Sequence, residues 1–224
     1  MKKSLLLFMF TSLISAPLAL WAAGSGGGGG LSSAPTNTRA MTPEQQSAKA
    51  MRSGIRLRDK ALKQEAKAAK ATSDKKREKA LAKAQKLYTK AIDKQGAAIQ
   101  LDPQNYKAAN ELGFALRKTG DYRKAIGAYN YALKINPNFH QATEYRAEAF
   151  LKLGFLDQTR QSYMVLFRDD RDLAAQLMEK FDQWIADKAE NLSDTEQDFV
   201  AWVEERKKLS AMAQDLSMNN TRTW

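Results

Sequence analysis

Residues 106–137 read YKAANELGFALRKTGDYRKAIGAYNYALKINP. Two apolar patterns of helical spacing flank the turn Thr119-Gly120-Asp121. Ala109, Leu112, Gly113 and Leu116 share one face of the first; Ala125, Ile126, Tyr129, Ala132 and Leu133 share one face of the second. Small residues let the two backbones approach, and Tyr129 can fill the gap between them. Asp121 is placed to cap the second helix. Pro137, which has no N–H, forbids its continuation. The stretch is predicted to be an antiparallel helical hairpin.

The pattern recurs. A step of about 34 residues upstream lands on Ala91, Ala98 and Pro103. The same step downstream lands on Phe150, the Leu153-Gly154 turn, Tyr163 and Leu166. With Leu112-Gly113, Ala125, Tyr129, Ala132 and Pro137 in place, the unit resembles a tetratricopeptide repeat, although Ala109 replaces that family's usual first-helix tryptophan. The resemblance covers most of Met51–Leu166. It implies an all-α, helical-hairpin solenoid whose first helices line a concave groove, and a protein or peptide partner docked there.

Composition narrows the chemistry. Cysteine is absent and histidine occurs once, as His140. Disulfides, thiolate metal sites, a cysteine nucleophile and a lipoprotein attachment are excluded, and a zinc site or histidine triad is argued against. No metal and no cofactor is implied. The net charge of +11 is unevenly placed. Residues 44–101 hold 16 Lys/Arg against 6 Asp/Glu, whereas residues 102–224 hold 17 against 19.

Residues 1–23 read as a secretory signal peptide, with Lys2 and Lys3, an apolar run from Leu5 to Ile14 and a cleavage region near Ala22/Ala23. The run is short for a membrane anchor and is broken by Ser12, Ser15 and Pro17. The expectation is a bacterial, periplasmic or secreted protein with no transmembrane helix after cleavage. Residues 24–42, with glycine from Gly26 to Gly30, read as a flexible Gly/Ser-rich linker. No Lys-Ser/Thr pair follows the glycines, so a phosphate loop is not supported.

Residues 43–103 are expected to form an extended basic helical hairpin, a degenerate first repeat. Thr42 caps it, Pro43 begins it and Thr72-Ser73-Asp74 divides it. Its apolar stripes are Ala48, Met51, Ile55, Leu62, Ala66 and Ala69, then Leu81, Ala84, Leu87, Ala91, Ala98 and Ile99. Gly54 could occupy the small-residue position that Gly113 holds in the next unit. Residues 104–171 make two repeats and residues 172–217 a C-terminal pair of capping helices. That pair has Ser193 and Glu196 as a capping box, Trp184 and Trp202 as packing anchors, and a polar outer face. Residues 218–224 are a frayed tail.

The resemblance places Lys107, Asn110, Phe114, Arg117 and Lys118 in the groove, followed by Gln141, Glu144, Glu148 and Lys152. Phe114 is expected to be an exposed aromatic contact, with Lys107, Asn110 and Arg117 orienting the partner. Glu144 and Glu148 lie one helical turn apart, but the sequence indicates no pocket that would shift them toward acid–base work. Asp169, Asp170 and Asp172 lack the glycine of a calcium loop and read as a helix start. The implied function is a non-enzymatic adaptor or scaffold. The alternative is attachment to an anionic envelope surface, lipid or polysaccharide, through Lys75, Lys76, Arg77, Lys79 and Lys83. Nucleic acid is argued against by export and by the near absence of stacking aromatics in the basic segment, where Tyr88 stands alone.

Overall fold

The computed structural model describes residues 40–188 and 192–220, with side chains to residue 212. The segments read as signal peptide and, but for residues 40–42, as linker lie outside the described residues. Within them the chain forms eight helices and no strand. These are α1 (Pro43–Ala69), α2 (Asp74–Leu101), α3 (Tyr106–Lys118), α4 (Tyr122–Ile135), α5 (His140–Lys152), α6 (Leu156–Asp169), α7 (Arg171–Lys188) and α8 (Asp194–Asn220). Each packs on the next, as in an all-α helical-hairpin solenoid.

The first hairpin is held by a seam of small residues. Thr42 and Gln45 form a reciprocal capping box at the start of α1, with Pro43 at its first position. Ser47, Gly54, Ala61 and Ala68 are buried at seven-residue intervals along α1. Ala84, Ala91 and Ala98 repeat the interval on α2, with Tyr88 and Gln95 buried among them. This corrects the expected stripes: Leu62, Ala66, Ala69 and Leu81 are exposed, while Ala61 and Ala68, which the stripe omitted, are buried. Backbones approach most closely where side chains end at Cβ or before it, so the alanine and glycine positions define the contact.

The repeat period is visible as one recurrent close approach. A Cβ added to Gly113 would lie 2.5 Å from Cε1 of Tyr129, and one added to Gly54 would lie 2.4 Å from Nε2 of Gln95. Gln95 and Tyr129 are one repeat apart; the next step reaches Tyr163, buried in one cluster with Ala147. The α3–α4 and α5–α6 turns each close on a glycine in the left-handed region, Gly120 at φ +86° and Gly154 at φ +75°. After α3 the Asp121 N–H donates back to the Leu116 carbonyl at 2.9 Å, closing a Schellman turn. Asp121 then accepts from the Lys124 N–H at 3.2 Å and caps α4.

At the far end, α6, α7 and α8 share an aromatic core. Phe181 meets Phe199 edge-on at 5.2 Å, Trp184 meets Phe199 edge-on at 5.6 Å, and Trp202 meets Tyr163 edge-on at 5.4 Å. Asp170 accepts from the Leu173 N–H at 3.1 Å, so the acidic run does start a helix. Two expectations are corrected. Helix α8 continues to Asn220, three residues into the stretch expected to fray. Its outer face is not uniformly polar either, since Leu209 is 44% and Met212 60% exposed.

Gly113→Ala is expected to lower stability by about 1–3 kcal/mol, because the new methyl has no room beside the Tyr129 ring. Gly127→Ala, in open space on α4, should instead stabilise by about 0.5–1 kcal/mol. Thermal or urea denaturation followed by circular dichroism would separate the two.

Candidate functional site

Helix α3 touches α1 and α5, and α5 touches α7, while among the described residues α2, α4 and α6 do not approach one another as closely. In a stack of hairpins the layer whose members crowd is the inside of the curve. Helices α1, α3, α5 and α7 therefore line the concave face.

The floor of that face is aromatic and capped by cations. Phe114 of α3 lies between Tyr88 of α2 and Tyr145 of α5, at 6.3 and 5.4 Å between ring centroids. The Arg117 guanidinium stands 5.3 Å from the Phe114 centroid and 5.1 Å from that of Tyr145. Arg117 is also ion-paired to Glu148 of α5. On the other flank Arg58 of α1 meets Glu111 at 2.5 Å and stands 5.8 Å from the Phe114 ring. Lys118 pairs with Glu65 of α1 at 2.7 Å. Each pair bridges two concave helices, and each is at least partly shielded from water.

The predicted groove residues divide into floor and rim. Asn110 is 2%, Glu144 3% and Phe114 8% exposed. Phe114 is thus not the exposed anchor that its polar neighbours imply; the seam between α2, α3 and α5 encloses it. Arg117 and Lys118 are engaged with Glu148 and Glu65 rather than presented free. Lys107, Gln141 and Lys152 are exposed along the rim, and Gln141 donates through Nε2 to the Tyr145 hydroxyl at 3.2 Å. The basic residues Lys75, Lys76, Arg77, Lys79 and Lys83 are all exposed, away from this face, with Arg77 paired to Asp74 at 2.6 Å.

Sequence reasoning missed the environment of the acid pair. Burial, and then the neighbouring Glu148 carboxylate, push Glu144 up to about 8, against the opposing pull of Arg117. Burial likewise raises Glu111, with Arg58 opposing. Reasoning also missed Arg58, Glu65 and Glu111, whose partners lie on other helices and leave no local pattern. Asn110 Oδ1, Glu111 Oε2, Arg117 Nε and the Tyr129 hydroxyl are buried without a hydrogen-bond partner in the protein. Such atoms cost about 1–3 kcal/mol each, so the floor is polar at the expense of stability.

A family model for the tetratricopeptide repeat matches residues 106–139, the α3–α4 hairpin with its flanking turn. The chain carries a tetratricopeptide repeat, a unit that mediates protein–protein interaction. No curated protein matches the chain.

The folded protein holds the Glu144 proton more tightly than the unfolded chain, whose glutamate titrates near 4.5. That contribution to stability is complete below the unfolded value and is lost as pH rises through about 8. Between about pH 6 and pH 9 the protein should lose roughly 1–3 kcal/mol more stability than Glu144→Gln, measured by urea denaturation.

Proposed function

We propose that this tetratricopeptide-repeat chain is a non-enzymatic adaptor, exported to the bacterial periplasm or secreted, that docks a segment of a protein partner on its concave face. The observation that carries the reading is the division of that face. Its floor is fixed by Phe114, Tyr145 and the cross-helix ion pairs, while Lys107, Gln141 and Lys152 are exposed on successive first helices. A rigid floor spares a binding surface the entropy of ordering itself, and exposed polar side chains on the rim can choose the partner. Phe114 contributes by holding α3 against its neighbours, not by meeting the partner. Arg117 keeps adjacent first helices in register.

An enzymatic reading through Glu144 and Glu148 finds less support. The Glu144 side chain is closed to solutes and Glu148 is occupied by Arg117. Export rests on the charged, apolar and small-residue pattern of residues 1–23.

Photo-crosslinking residues placed at Lys107 and Gln141 are expected to trap one partner in cells, and the same residue at Arg123 on the outer layer should trap none. Equal, unspecific labelling from all three positions would refute the groove. Amino-terminal sequencing of protein recovered from the periplasm or medium should begin after Ala22 or Ala23, and a full-length cytoplasmic chain would refute export.

A further inference from the structure

Helices α1 and α2 meet α3 on one side only, through Arg58, Glu65, Gln85 and Tyr88. The opposite side of the hairpin is a furrow between the two helices, with two hollows of about 500 and 340 Å³ along it. Helix α1 contributes Arg56, Lys60 and Lys67 to its walls. Helix α2 contributes Lys76, Lys79 and Lys83, with Lys90 and Lys94 farther along. Every one of these cations is exposed, and no carboxylate among the described residues pairs with any of them. Asp93 is the single acid lining either hollow.

In a solenoid this side is where the helices of a preceding repeat would pack, and such a face is ordinarily apolar. Here it is cationic, so a further repeat of the same kind would strand eight buried charges. We propose that the furrow is a second docking surface, one that takes an extended acidic segment of a protein partner. The inference rests on the adaptor reading in supposing that the partner is a protein.

Three features select this occupant. The cations face each other across a furrow, which admits a chain more readily than a flat bilayer. All but one are lysine, which gives point charges rather than the paired hydrogen bonds by which arginine grips phosphate. Tyr88, the lone aromatic of the basic segment, is fully buried and leaves nothing for bases to stack on. The span from Ser53 to Ala71 is about 27 Å at the helical rise, which matches roughly eight residues of extended peptide. Cations stand three, four or seven residues apart on each wall, so a segment rich in acids meets them at several points along its length.

Fluorescence anisotropy of a labelled deca-L-glutamate peptide against the whole chain would test this. We expect binding at low salt that fades as salt is raised, and a loss of about tenfold or more in Lys76→Glu/Lys79→Glu/Lys83→Glu. Arg123→Glu/Lys134→Glu/Lys208→Glu changes net charge equally on exposed residues elsewhere and should bind almost as the parent does. Equal loss in both variants would show that bulk charge, not the furrow, attracts the peptide and would overturn the proposal. So would capture of phosphatidylglycerol vesicles or heparin at concentrations where the peptide does not bind. Circular dichroism of both variants checks that they fold. Crosslinking from Lys107 is read separately, so failure of the furrow and failure of the groove are distinguishable.

Discussion

Two helix backbones come closest where the side chains between them end at Cβ or before it, and that constraint sets the architecture. Gly113 admits the Tyr129 ring, and Gly54 admits the Gln95 side chain, where an added Cβ would lie 2.5 and 2.4 Å from them. Once the helices of a hairpin are that close, their next neighbours are drawn close on the same side, and the first helices crowd into one curved layer. On the outer layer Tyr131 is partly exposed and its hydroxyl donates to the Pro103 carbonyl at 2.9 Å.

Charge then fixes what packing has arranged. Arg117 joins α3 to α5 through Glu148 while lying over Phe114 and Tyr145, and Arg58 joins α1 to α3 in the same manner. Buried pairs of this kind add little net stability against a purely apolar alternative, because both partners lose their water. What they supply is directional: a planar guanidinium on one helix paired with a carboxylate on the next tolerates few relative rotations. The raised Glu144 belongs to the same economy, being a carboxylate enclosed by the arrangement that orients Glu148.

The hairpins were legible in the sequence because their signals are local. Asp121, Gly120 and Pro137 punctuate the chain within a few residues of the structure they cause, and Tyr129 recurs at a fixed interval as Tyr163. The floor of the concave face was not legible. Whether Phe114 is exposed depends on Tyr88 and Tyr145, which arrive from other helices. Whether Glu144 is shifted depends on enclosure by three dimensions of packing rather than on its spacing from Glu148. The seam of α1 was misread for a different reason. Hydropathy favours Leu62 over Ala61, whereas a close helix contact favours the smaller side chain, and there the contact decided.

The leading hairpin reaches well past the last support it receives from α3, at the Lys118–Glu65 and Gln85 contacts. Beyond that point the two helices meet through buried Ala68 and partly buried Ala71 and Ala80, each hiding no more than about one methyl group, worth about 0.8 kcal/mol. Cohesion there comes in small equal increments, like the teeth of a zip, with no bulky keystone to make opening all-or-none. The distal arm can therefore part and close again while the aromatic block formed by α6, α7 and α8 stays shut. One chain would then combine a compliant arm with a stiff body.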